Sequence, residues 1–169
     1  MDKILRVPVA PYLKKYFESE NAEVLEVIGS AKYIRAHGNT EIGNLIALVS
    51  SQVGGSVAHP RLEKGMCYLS FIYYARNKKR NVMESKIPEL AKQLDKMFRN
   101  RLCTYVAVHS LAFDGPYLAH VVRFLELNNI VVDVDISKEM ARKMYRDYLE
   151  RNERKLLRKV SAGCETSPV

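Results

Sequence analysis

Apolar residues alternate with polar ones from Ile4 to Ala10, where Leu5, Val7 and Val9 are separated by Arg6 and Pro8, the period of a strand with one buried face. Pro8 has no amide hydrogen to give a neighbour, so this strand is expected at a sheet edge. Pro11 suits the first turn of a helix that gathers Tyr12, Leu13, Tyr16 and Phe17 on one side and turns Lys14 and Lys15 outward. A second β-prone run, Val24 to Ile28, is closed by Gly29 and Ser30. It lies among Glu18, Glu20, Glu23 and Glu26, a setting that does not suit a phosphate backbone.

In NTEIGNLIALVSSQV, the spacing of Ile42, Leu45, Ile46, Val49 and Val53 predicts a core-facing helix with Asn39 as its N-cap. Gly43 inside it predicts a close approach by another element. The stretch GGSVAHPRLEKG reads as a loop, and MCYLSFIYYA (Met66 to Ala75) as the strongest strand, apolar on both faces and therefore central or covered by a helix.

The remaining pattern is helical. A long helix is expected from Ser85 to about Phe113, with Pro88 tolerated in its first turn and Ile87, Leu90, Leu94, Met97, Phe98, Leu102 and Tyr105 facing inward. Asp114-Gly115-Pro116 predicts a capping acid, a flexible glycine and an N1 proline for a shorter helix with Leu118, Val121, Val122 and Leu125 inside. Asn128 and Asn129 end it, since Asn tolerates the left-handed conformation. After IVVDVDIS, Ser137 to Val160 has no glycine or proline and begins with a residue able to cap free amides. Met140, Met144 and Tyr148, widened by Ala141 and Tyr145, form its expected packing stripe.

The pattern implies an α+β fold: a small N-terminal β/α part over residues 1–75, a C-terminal helical, helix-turn-helix-like bundle over 76–160, and a flexible tail over 161–169. In a helix-turn-helix module the last helix enters the major groove. The connector from Asn128 to Ser137 exceeds the 3–4 residue turn usual for that motif, so a variant geometry and a plain helical bundle both stay open.

Charge sharpens the picture. The 169 residues have a formal charge of +8, but Arg76 to Arg101 holds nine bases and three acids and Lys138 to Lys159 nine bases and four acids, so the remainder is net negative. Segregation of this kind marks a surface for an acidic partner better than net charge does. On the last helix, Lys138, Arg142, Lys143, Arg146 and Arg151 are the candidate contacts. Arg142 and Arg146 suit base edges, because a guanidinium can bind guanine bidentately, and the lysines suit phosphates. Arg76, Lys78, Lys79 and Arg80 follow Tyr73 and Tyr74, and this combination has two readings: a stacking platform for single strands, or a core strand with a solvated turn.

Other chemistry is sparse. The four histidines are scattered, His109 reads as an interior or interfacial residue, and no nucleophile elbow, phosphate loop or zinc helix is present. Asp133 and Asp135 would offer a metal two carboxylates but have no supporting acid or histidine pattern, and entry into the last helix explains Asp135. No catalytic residue, metal ligand or cofactor site is therefore expected. Cys67, Cys103 and Cys164 are odd in number and far apart, which fits a reducing cytoplasm. No apolar run approaches the roughly 20 residues that span a bilayer, and the apolar stretch at the start is too short for a signal peptide, so a soluble protein is expected.

The segments VPVAPYLKKYF, EIGNLIALV, DKMFRNRLCTYV and SKEMARKMYRDYLERN occur in an order that resembles a family of small basic proteins of bacterial prophages and other mobile elements. The resemblance covers most of the chain and departs at Gly54 and in the tail RKLLRKVSAGCETSPV. It implies DNA binding through a helix-turn-helix-like C-terminal part and no reaction. The expected function is accordingly a non-enzymatic nucleic-acid-binding protein with duplex DNA as its ligand. The alternative is an adaptor, or a homo-oligomer, whose basic helix meets an acidic protein and whose Leu156, Leu157 and Val160 extend an apolar seam.

Overall fold

The computed structural model describes residues 1–52, 60–75 and 80–163, with Gln52, Arg80 and 155–163 described by their backbone alone. The elements follow as β1 (Asp2–Val9), α1 (Pro11–Glu20), β2 (Leu25–Ile28), β3 (Ala31–Ala36), α2 (Glu41–Val49), β4 (Ser50–Gln52), β5 (Cys67–Tyr74), β6 (Arg80–Val82), α3 (Ile87–Ala112), α4 (Tyr117–Leu127) and α5 (Lys138–Gly163). This is an α+β fold with its strands in the N-terminal half and its long helices after them.

Four strands form one sheet in the order β1-β5-β3-β2, and β4 pairs with β6 in a small ribbon. β5 is central, antiparallel to β1 and parallel to β3, while β2 and β3 form a hairpin through Gly29 and Ser30. As Pro8 requires, β1 is an edge. The register Leu5↔Phe71 and Val7↔Leu69, continued by Phe71↔Ile34, places these side chains on one face, and all five are buried. Helices α1 and α3 close that face.

The opposite face is covered by its own polar side chains. Arg35 on β3 reaches Asp2 on β1 at 2.9 Å and also pairs with Glu26 on β2, and Arg6 lies 3.4 Å from the Tyr33 hydroxyl. These arms cross the rows that hold Ser70 and Ile72, both of which are buried. Hydrogen bonding to Glu26 and Asp2 raises the Arg35 pKa further above its ordinary value, so the arm stays charged.

The helical half completes the same core. Phe98, with no exposed surface, is ringed by Tyr12 and Tyr16 of α1 and Phe124 of α4 at centroid distances of 5.0, 5.2 and 5.9 Å. Around it run Ile87, Leu90, Leu94, Leu102 and Val106 of α3, Val121 and Leu125 of α4, and Ala141, Met144 and Tyr145 of α5. One buried cluster thus extends from β1 to α5, through the position near residue 75 where the sequence suggested a boundary.

Several local expectations need correction. The N-cap of α2 is Thr40, not Asn39: its Oγ1 accepts from the Gly43 amide at 3.1 Å. A Cβ on Gly43 would lie 1.8 Å from the His37 carbonyl oxygen, so glycine lets the β3–α2 connection fold against the helix. Helix α4 starts at Tyr117 with Pro116 as its N-cap, and Asp114 makes no side-chain cap. The packing stripe of α5 centres on Ala141, Met144 and Tyr145, while Met140 is exposed. Strands β3, β4 and β6 were not expected at all. Two other features agree with expectation: Ser137 caps α5 through the Met140 amide at 3.1 Å, and Asn129 adopts φ 57° after α4.

Replacing Phe98 by Ala should remove the centre of the aromatic cluster and cost about 3–5 kcal/mol of stability, read from denaturant unfolding. A cost near that of a surface substitution would show that the cluster does not join α1, α3 and α4.

Candidate nucleic-acid interface

Helix α5 packs one side against α3 and α4 and leaves the other to solvent. The buried side meets α3 where the Cys103 thiol lies 3.9 Å from the Met144 carbonyl, and meets α4 where Tyr145 and Tyr117 have centroids 5.3 Å apart. Burial pushes the Cys103 pKa up to about 11 against the opposing fields of Arg151 and Arg99, so the thiol stays protonated and inert.

Lys138, Arg142, Lys143, Arg146 and Arg151 are all exposed on α5, as the sequence placed them. Acids are interleaved with them. Arg142 lies 3.6 Å from Glu139, Arg146 4.0 Å from Glu150 and Arg154 3.5 Å from the same Glu150, while Arg151 donates from Nε to the Asp147 carbonyl at 3.0 Å. Lys138 and Lys143 have no ion pair among the described residues. From Lys138 to Arg154 the helix has six bases and four acids, so most of its excess charge comes from Lys155, Arg158 and Lys159, whose side chains lie outside the described residues.

Helix α3 contributes a second row. Cys103, Val106 and Ser110 lie on the side of α3 that faces α5, and the same helical stripe continues toward the N-terminus as Arg99, Lys96 and Lys92. Asp95 orients Arg99, accepting from its Nε at 2.6 Å and from the Tyr12 hydroxyl at 2.8 Å. Burial disfavours the Arg99 charge, but Asp95 outweighs that effect and its pKa is raised. Asp147 of α5 adds to the same field. Lys92 and Lys96 are exposed and have no ion pair among the described residues. Arg99 of α3 and Arg151 of α5 both act on the Cys103 thiol, so the two basic stretches of sequence meet at this point of the α3–α5 seam. Lys92, Lys96 and Arg99 belong to the basic stretch Arg76 to Arg101 but are not among the candidate contacts read from the sequence, although their spacing with Cys103 at 92, 96, 99 and 103 is a usable signal.

The strand-end reading divides. Arg76, Lys78 and Lys79 lie outside the described residues, and Arg80 is described only by its backbone, paired with Gln52 in the β4–β6 ribbon. Tyr73 and Tyr74 point to opposite faces of β5: Tyr73 is buried on the core side and Tyr74 is 69% exposed. They cannot share one stacking platform. The other aromatics on the outer face are Tyr33 of β3, itself buried and held by Arg6, and Tyr68 of β5, whose hydroxyl donates to the Pro60 carbonyl.

The two aspartates of the connector serve structural roles. Asp133 Oδ1 accepts from the Lys138 amide at 3.1 Å and so caps α5, the task the sequence assigned to Asp135. Asp135 instead accepts from Lys15 at 2.6 Å and from the Val131 amide at 2.7 Å, fastening the connector to α1. No cluster of three potential metal ligands occurs among the described residues. His109 stacks on Tyr105, with its Nδ1 2.9 Å from the Tyr105 carbonyl, as an interfacial residue would. No described helix is long and apolar enough to cross a membrane.

The chain has no match among protein-family models, curated proteins or solved structures. The likeness to prophage proteins rests on the sequence motifs alone.

Burial opposes the Asp135 charge, but Lys15 and the Val131 amide overcome it and lower its pKa. A lowered folded pKa contributes stability above the ordinary carboxylate range, and that stability is lost as pH falls through the folded value. Asp135→Asn should cost about 1–2 kcal/mol at neutral pH, allowing for screening at the partly exposed Lys15. The difference from the parent should close on acidification. A difference that is constant with pH would mean that the charge of Asp135 contributes nothing.

Proposed function

We propose that this chain is a non-enzymatic nucleic-acid-binding protein that holds duplex DNA through phosphate contacts made by α5 and the adjoining stripe of α3. The observation that supports this most is the approach of two basic stretches distant in sequence at Arg99 and Arg151, with Lys92, Lys96, Lys138 and Lys143 exposed and without an acidic partner among the described residues. An ammonium is a point charge that suits phosphate, whatever the sequence. The arginines are engaged within their own helices, but exposed pairs at i,i+3 and i,i+4 are worth only about 0.2–0.5 kcal/mol, so phosphates can replace the carboxylates. Phosphate contacts from the lysines therefore dominate over base reading by Arg142 and Arg146. The sequence resemblance to mobile-element proteins agrees with a cytoplasmic DNA ligand.

A second reading, an adaptor or homo-oligomer, has its own support in Val108, Leu111 and Phe113, which are exposed together at the end of α3. Light scattering separates the two. A monomer at all concentrations leaves no role for self-association.

Binding to random duplex should weaken steeply as salt rises, because each phosphate contact releases counterions. Replacing Lys92 and Lys96 by Glu should weaken binding and flatten the salt dependence, while altering stability by no more than about 0.5 kcal/mol. Arg142→Ala with Arg146→Ala should have the smaller effect. Absence of binding, or affinity indifferent to salt, would reject the proposal, and a larger loss from the arginine pair would move the contacts to the outward face of α5.

A further inference from the structure

A cavity of about 380 Å³ lies between α2 and the carboxyl ends of β3 and β5, lined in part by Ala36, Gly38, Gly43, Ala47, Ser50 and Tyr73. β3 and β5 are parallel neighbours whose connection contains α2, and ligands of open sheets with parallel strands bind beyond the carboxyl ends of those strands. The volume is within the range of about 300–1,000 Å³ typical of small-molecule sites.

The lining has a definite chemistry. Gly43, Ile46, Ala47 and Ser50 form the wall on the α2 side and Ala36, Tyr73 and Ala75 the sheet wall, so small residues leave the space and Ile46 and Tyr73 supply its larger surfaces. A Cβ placed on Gly38 would meet nothing within 4 Å. Tyr73 is only 6% exposed, and its hydroxyl has no hydrogen-bond partner among the described residues. The backbone amide that bears on it, from Val82, is a donor, so the phenolic proton still lacks an acceptor. A buried donor of this kind suits a ligand that brings an acceptor.

We propose that this cavity binds the planar ring of a nucleobase, either free or unpaired within a strand, with the Tyr73 hydroxyl donating to an acceptor on the ring edge. Nucleobases combine the required features: a flat apolar face that suits a cavity walled by Ile46 and small residues, and ring nitrogens or exocyclic oxygens that accept a hydrogen bond. The choice of ring rests on the nucleic-acid reading above, whereas the cavity and its unpaired donor do not.

The experiment is a titration of the full chain with adenosine, guanosine, cytidine and thymidine, and separately with a short single-stranded DNA, followed by amide chemical shifts. Shifts at Gly38, Gly43, Ala47 and Tyr74 are expected, reduced in Tyr73→Phe and lost in Gly38→Leu, which fills the cavity from a position with open space around it. Ala47→Trp, at an exposed helix position, blocks the mouth independently if the first variant fails to fold. Nucleosides that shift these amides while neither strand nor duplex binds would uphold the cavity and overturn the nucleic-acid reading. Strand or duplex binding that is unchanged in both filled variants, with no nucleoside shifts, would overturn the cavity and leave that reading standing. Absence of all binding would overturn both.

Discussion

Phe98 is the contact on which the two halves of the molecule depend. Its ring touches Tyr12 and Tyr16, which Pro11 and the short helix α1 deliver from the N-terminal half, and Phe124, delivered by α4. Aromatic pairs of this geometry contribute about 0.5–1.5 kcal/mol beyond the area they bury. Their greater effect is on position, because tilted and edge-on rings fix the angle of α3 against α1 as well as its distance. The Tyr12 hydroxyl extends that constraint outward: it donates to Asp95, and Asp95 in turn holds Arg99 at the seam with α5. A residue of the sheet-side core is thus two hydrogen bonds from the candidate interface.

The seam follows from how α3 divides its surface. With Leu90, Leu94 and Phe98 committed to the sheet and α1, the stripe at Lys92, Lys96, Arg99 and Cys103 is the one left for α5. Among the described residues, the apolar side chains of α5 cover the C-terminal part of this stripe, from Cys103 onward. The N-terminal part stays charged and solvated. One helix can therefore serve as the keystone of the core and still contribute half of a basic surface, because 26 residues provide more length than α5 covers with apolar contacts.

Much of the fold was legible because its longest elements have strong periods. β1, β5, α3 and α5 were placed to within a few residues, and the edge position of β1 followed from Pro8 alone. β3 was not legible. Tyr33 and Ile34 lie on opposite faces and are both buried, and Arg35 lies flat along the sheet, so AKYIRA shows no alternation of apolar and polar residues. β4 and β6 have three residues each, too few for any period. The Thr40 and Asn39 caps differ by one position, and only the folded turn decides which oxygen meets the Gly43 amide. At the candidate site, sequence located the cations on α5 but not the carboxylates that answer them, since pairing at i,i+3 or i,i+4 depends on rotamers that spacing does not fix. The cavity was invisible, because its lining is drawn from three separate segments that only the fold brings together.

The distribution of ion pairs explains why a segregated charge is tolerated. In the N-terminal half the cations are answered at close range: Lys14 and Lys32 by Glu18, Lys15 by Asp135, and Arg35 by Asp2 and Glu26. Those pairs tie strands and helices to one another, so the charges are part of the fold and are not free for a ligand. On α5 the pairs are instead local to the helix; on α3 Arg101 reaches Glu41 of α2 and Asp95 also binds Tyr12, while Lys92, Lys96, Lys138 and Lys143 have no ion pair among the described residues. Breaking a local pair leaves the tertiary structure intact, whereas breaking Lys15–Asp135 releases a connector. Among the described residues, the cations that can exchange their counter-charges at least structural cost are therefore those paired within α5, which is what the proposed phosphate contacts require.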